Sequence, residues 1–133
     1  MALRITLKPY ERLIINGASI RNGNRNSDFL IESHSKFLRE SEILHESDAD
    51  TPCKKLWVTL QVMYLTDHRA EVEDLFFRQA TEIMSLMPEA APFMAQMQSA
   101  IAEEHFHKAI KACKQLAKLE QELCGEQASE KAA

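Results

Sequence analysis

The dipeptide Asn16-Gly17, set between Arg12-Leu13-Ile14-Ile15 and Ala18-Ser19-Ile20-Arg21, constrains the start of this chain more than any other feature. A two-residue type I′ turn needs positive φ at both central positions, which asparagine and glycine tolerate and most residues resist. Such a turn fixes the register of its flanking strands. Ile15 then opposes Ala18, Leu13 opposes Ile20 on one face, and Arg12 opposes Arg21 on the other. Like charges directly across a sheet cost roughly 0.2–1 kcal/mol, so an arginine pair there calls for a neutralising group. A phosphate between the guanidiniums is one answer, with Arg4, Lys8 and Arg25 as further contacts; a carboxylate of Glu11, Asp28 or Glu32 is the other.

Around the hairpin the residues keep sheet character. Leu3, Ile5 and Leu7 alternate with Arg4, Thr6 and Lys8 until Pro9 interrupts the ladder. The polar stretch Asn22-Gly23-Asn24-Arg25-Asn26-Ser27 reads as a loop. If it joins two paired strands, Arg21 faces Asp28 and Ile20 faces Phe29. Amide-rich loops can hydrogen-bond base edges and phosphates of unpaired RNA, and Tyr10 adds a ring for stacking. Phe29 to Ile31, then Phe37-Leu38 and Ile43-Leu44, supply further short strands. The sum is a small antiparallel sheet of four or five strands, whose open edge offers a surface for a homodimer.

The net charge of -4 divides unevenly along the chain: residues 1–39 carry seven Lys/Arg against three Asp/Glu, and the remainder nine against seventeen. A basic module on an acidic body can hold a polyanion with one part while the other repels it.

After His45 the pattern becomes helical. Thr51-Pro52 supplies an N-cap and a proline at the first helical position, and Cys53, Trp57, Leu60 and Tyr64 recur on one face, widened by Leu56 and Met63. Thr66-Asp67-His68 breaks that run, and Val72, Leu75, Phe76, Ile83 and Met87 mark a second helix ending near Pro88. A third covers Ala91 to Ile101, and a fourth runs from about His105 to Cys124 with Gly125 as its C-cap. The fold class is therefore α+β: a basic β module over 1–45, an acidic connector over 46–51, a helical module of about four helices over 52–124 and a frayed tail over 125–133. Lys108, Lys111, Lys114 and Lys118 share one face of the last helix, while Met84, Met87, Met94 and Met97 either fill the core or form an adaptable docking patch.

Several classes of function lack their signatures. No apolar run approaches the eighteen or so residues of a membrane span, and no export signal opens the chain, so a soluble protein with no membrane partner is expected. Cys53, Cys113 and Cys124 are odd in number and widely spaced, which suits thiols in a reducing cytoplasm better than a disulfide framework. His105 and His107 point about 200° apart on a helix and cannot share a metal. With no phosphate-cradling glycine loop and no nucleophile elbow, neither an enzyme nor a bound cofactor is expected.

In Leu7-Lys8-Pro9, Ile15-Asn16-Gly17-Ala18, Arg21-Asn22-Gly23, Leu38-Arg39-Glu40, Thr51-Pro52, Met63-Tyr64-Leu65, Ala109-Ile110-Lys111 and Leu119-Glu120, taken in order, the chain resembles the flagellar biosynthesis repressor FlbT family of alphaproteobacteria. It departs where that family commonly has a glycine before an aromatic pair: here the residues are Glu104-His105-Phe106, at the break between the last two helices. The resemblance implies a post-transcriptional repressor that binds the 5′ untranslated region of flagellin mRNA, promotes its degradation and acts with a second factor of opposing effect, FlaF. On that implication Arg4, Lys8, Arg12, Arg21 and Arg25 meet phosphates, while Tyr10, Asn22 and Asn24 stack on or hydrogen-bond bases. The competing expectation is a chaperone-like module that grips FlaF or flagellin and affects the message indirectly.

Overall fold

A computed structural model describes residues 3–66 and 68–132, with side chains as far as Cys124. Asp67, in the expected break after the first helix, lies outside the described residues. The chain divides into two compact units, Met1–Ile43 and Leu44–Ala133.

The first unit holds five antiparallel strands: β1 (Leu3–Leu7), β2 (Arg12–Ile15), β3 (Ala18–Arg21), β4 (Ser27–Ile31) and β5 (Phe37–Arg39). Asn16 and Gly17 both adopt positive φ, 49° and 86°, and the hairpin register places Ile15 on Ala18, Leu13 on Ile20 and Arg12 on Arg21 as the turn chemistry requires. The strands do not form one sheet. β1 pairs with β4, and β2 lies between β3 and β5. Thus β4 returns to β1 instead of lying beside β3, and Asp28 opposes Thr6, not Arg21, while Phe29 opposes Ile5, not Ile20. The physical gain is a shared apolar core: Ile5, Leu7 and Leu13 are buried, with Ile15, Phe29, Ile31 and Phe37 packed against them. The Arg39 guanidinium ties the sheets together by donating from Nη2 to the Thr6 carbonyl at 3.1 Å. Ile43-Leu44 forms no strand; a 3-10 turn at Glu40–Glu42 precedes it.

Helices α1 (Pro52–Leu65), α2 (Arg69–Leu86), α3 (Ala91–Ala102) and α4 (Phe106–Ala132) make up the second unit. Leu44 is held to it by the Gln61 side chain, which accepts from its N–H at 2.5 Å and donates to its carbonyl at 2.9 Å. Thr51 Oγ1 accepts from the Lys54 N–H, so the expected cap forms. α1 packs against α2 and α4, and α3 packs against α4. Leu56, Leu60, Phe76, Met97, Ile110 and Leu116 are among the fully enclosed side chains. The methionine run is mostly core: Met94 and Met97 are buried, and Met84 and Met87 are half-buried. Gly125 does not end α4, which continues to Ala132. A mid-helix glycine costs about 1 kcal/mol, and the Glu, Gln, Ala and Lys residues that follow favour helix strongly enough to offset it. None of the described helices is long and apolar enough to cross a membrane.

The corner between α3 and α4 carries the chain's departure from the glycine pattern. Glu104 sits at φ 64°, and the His105 N–H reaches back to the Ala100 carbonyl at 2.8 Å, the closing bond of a Schellman motif. That position ordinarily takes glycine, because the left-handed conformation costs a side-chain-bearing residue roughly 1–2 kcal/mol. Arg69 offsets the cost. It pairs with Glu104, bonds Glu73 through Nε at 2.7 Å and the Ile101 carbonyl through Nη2 at 3.2 Å, and lies 5.2 Å over the Phe106 ring.

Two outcomes follow from this packing. Glu104→Gly should stabilise an Arg69→Ala protein by about 1 kcal/mol in chemical denaturation, and the wild type by less, because only the wild type has an ion pair to lose. Burial pushes the Cys53 and Cys113 thiols well above their ordinary range, whereas Cys124 is exposed. A thiol reagent should therefore label Cys124 alone in native protein and all three cysteines after unfolding.

Candidate functional site

Lys8-Pro9-Tyr10-Glu11 closes a tight turn in which the Glu11 N–H bonds the Lys8 carbonyl at 3.1 Å and Glu11 Oε1 accepts from the Lys8 N–H at 2.8 Å. Proline at the second position and positive φ at the third, 62° at Tyr10, are the pattern of a type II turn. Past the end of the hairpin ladder two more backbone bonds join the segments, the Asn22 N–H on the Glu11 carbonyl and the Tyr10 N–H on the Gly23 carbonyl, both at 2.9 Å. The Lys8–Glu11 turn and the 22–27 loop are therefore neighbours at one end of the β unit.

One side chain fastens them. Asn22 Nδ2 donates to the carbonyls of Leu7 at 3.2 Å, Lys8 at 2.8 Å and Arg25 at 2.7 Å, while Asn22 Oδ1 accepts from Ser27 Oγ at 2.9 Å. The expectation that Asn22 reads base edges gives way here: its amide is engaged inside the loop and positions Lys8 and Arg25 instead. Asn24, by contrast, is exposed and makes no side-chain hydrogen bond to the described residues.

The arginines divide into two groups. Arg4 lies on the outer face of the β1–β4 sheet and pairs with Asp28 at 2.7 Å. The hydroxyl of Thr6 and then the Arg4 guanidinium hold the Asp28 carboxyl below its usual range. Asp28 was an alternative partner for Arg21, and it serves Arg4 instead. Arg12 and Arg21 oppose each other on β2 and β3. Because the Asn22 to Glu11 bond marks the next pair as hydrogen-bonded, the arginines occupy a non-hydrogen-bonded site, where side chains approach more closely. Arg21 Nη1 donates to the Tyr10 carbonyl at 3.2 Å, and among the described residues Lys8, Arg21 and Arg25 have no carboxylate in ion-pair distance. Lys8, Tyr10, Arg12, Arg21, Asn24 and Arg25 thus gather around the Asn22 hub, and Arg4 stands apart.

Along the lysine row of α4, Lys108, Lys111 and Lys118 are exposed and Lys114 is half-buried. Lys114 lies 5.7 Å over the Trp57 ring, and Lys108 and Lys111 line a groove with Glu103 of the α3–α4 corner. Among the described residues no group of His, Cys, Asp and Glu is placed to hold a metal ion. The roles of Asn22 as hub and Arg69 as clamp were missed by sequence reasoning. Only a loop asparagine near a strand end hinted at the first.

A family model described as flagellar protein FlbT matches residues 3–124. A relative from Rhodopseudomonas palustris, named probable flagellum biosynthesis repressor protein FlbT, is 32% identical over 92% of this chain and 98% of its own length. A relative of the same name from Mesorhizobium japonicum is 31% identical over 92% of this chain and 85% of its own. The Caulobacter vibrioides flagellum biosynthesis repressor protein FlbT is 26% identical over 94% of this chain and 91% of its own. No solved structure matches the chain.

The two loop asparagines should separate cleanly on mutation. Asn22→Ala removes an amide whose two N–H groups serve three carbonyls and whose oxygen takes the Ser27 hydroxyl, and should lower unfolding free energy by about 1–3 kcal/mol, whereas Asn24→Ala should leave it within about 0.5 kcal/mol of wild type in urea titration.

Proposed function

The chain belongs to the FlbT family, and on that premise we propose that it is a post-transcriptional repressor of flagellum biogenesis that binds the 5′ untranslated region of flagellin mRNA and promotes degradation of the message. The repressor role is supported by the names of its relatives. The RNA step rests on one observation, the Arg12–Arg21 cross-strand pair with Lys8 and Arg25 beside it. A polyanion threaded past this end of the hairpin meets four cations at one place, and phosphate contacts of this kind carry most of the affinity for a nucleic acid.

No catalytic step enters the mechanism. The protein occupies the leader, limits translation and leaves the message to cellular nucleases. The acidic helical unit repels RNA and so favours engagement through the basic strands. FlaF fits this scheme as a partner of opposing effect, and the edge strand β3, exposed along its four residues, offers a pairing surface for a second copy in the cytoplasm. The chaperone-like alternative drew on an open methionine patch, and burial of Met94 and Met97 removes that support.

Salt dependence tests the proposal. With four phosphate contacts, log affinity for an unpaired flagellin leader should fall against log salt with a slope of about -3. The triple variant Arg12→Ala, Arg21→Ala, Arg25→Ala should flatten that slope towards about -1. A flat slope in the wild type, or undiminished binding by the variant, contradicts it.

A further inference from the structure

Tyr10 is the one residue of the basic end whose conformation works against its own chemistry. It is 60% exposed, so its ring adds little to the core, yet its backbone is held at φ 62°, where tyrosine is disfavoured. The position is fixed from both sides: the Tyr10 N–H bonds the Gly23 carbonyl at 2.9 Å, and the Tyr10 carbonyl accepts from Arg21 Nη1 at 3.2 Å. A glycine or asparagine would satisfy the same turn without strain. Among the described residues the ring stacks on no other aromatic group and its hydroxyl makes no hydrogen bond. Strain that the surroundings enforce on an exposed aromatic group gives the fold nothing, and such strain concentrates where a side chain must be presented.

The geometry points to Tyr10 as a stacking platform for one unpaired base, so that the cationic end of the hairpin selects single-stranded over double-stranded RNA. This rests on the RNA reading above and names the form of RNA that the site takes. A base in a duplex has both faces covered by its neighbours and offers no face to a protein ring, whereas an unpaired base can turn its face outward. The Arg21 guanidinium on the Tyr10 carbonyl keeps a phosphate-binding group within one residue of that platform, which suits a base and its own phosphate being held together. Duplex RNA would reach the arginines through its backbone alone and gain nothing from the ring.

The test compares wild type with Tyr10→Phe, Tyr10→Gly and Tyr10→Asn, using a single-stranded flagellin-leader oligonucleotide carrying 2-aminopurine and a perfectly paired duplex of the same sequence. Wild type and Tyr10→Phe should bind the single strand more tightly than the duplex and quench 2-aminopurine at one position. The glycine and asparagine variants should keep or raise the wild-type Tm, lose roughly tenfold in single-strand affinity, lose the quenching and bind the duplex as before. Undiminished single-strand binding by both ringless variants, or equal losses on single strand and duplex, overturns the inference while the phosphate-binding reading stands. A wild-type protein that binds neither form overturns both.

Discussion

The β unit depends on the side-chain amide of Asn22. Its Nδ2 holds the carbonyls of Leu7 and Lys8 at the end of β1 and of Arg25 in the following loop, and its oxygen takes the Ser27 hydroxyl at the start of β4. Asn22 thus fastens the end of the β2–β3 hairpin to the β1–β4 sheet, beside the Arg39 bond and the shared core. A strand-to-strand connection that left these three carbonyls to solvent would lose little energy at each, on the order of 1 kcal/mol. What it would lose collectively is direction, since the amide is what turns the chain from β3 back to β1 and closes Phe29 and Ile31 over Ile5 and Leu7. The same residue draws Lys8 and Arg25 together, so the fold and the candidate surface share one determinant.

Charge is used differently at different places. On the outer face of β1–β4, Arg4 and Asp28 answer each other, an exposed pair of the kind that contributes little to stability. At the α3–α4 corner, Arg69 holds a glutamate in a conformation that suits glycine, joining a carbonyl, two carboxylates and the Phe106 ring. At the hairpin end, Arg12 and Arg21 are set across from each other with Lys8 and Arg25 nearby, and the nearest fastening of Arg21 is a backbone carbonyl. Carbonyls carry only partial charge, which leaves the guanidinium able to exchange that bond for a phosphate.

Much of this was legible beforehand where local chemistry decides. Asn16-Gly17 permits one register, and the arginine pair followed from it; Thr51-Pro52 located the first helix for the same kind of reason. What escaped were the choices made between distant segments. Whether β4 joins β3 or β1 depends on which pairing closes a core, and either leaves an acceptable alternation along the strand. The amide of Asn22 looks in sequence like any solvated loop residue, and its use became visible only with Leu7 and Arg25 beside it. Gly125 failed as a stop because the residues after it favour helix, so one local signal was outweighed by its neighbours. The ring of Tyr10 is plain from sequence, but nothing in Lys8-Pro9-Tyr10-Glu11 announces a positive φ at a residue that resists it.

On the proposed function, RNA lies at the end of the β unit organised by Asn22. Photo-crosslinking the purified protein to a labelled flagellin leader, followed by mass-spectrometric mapping of the adducts, tests it most directly. Adducts should fall on Tyr10 and on the peptides carrying Lys8, Arg12, Arg21 and Arg25. Adducts confined to the acidic helices, or none above background, would contradict it.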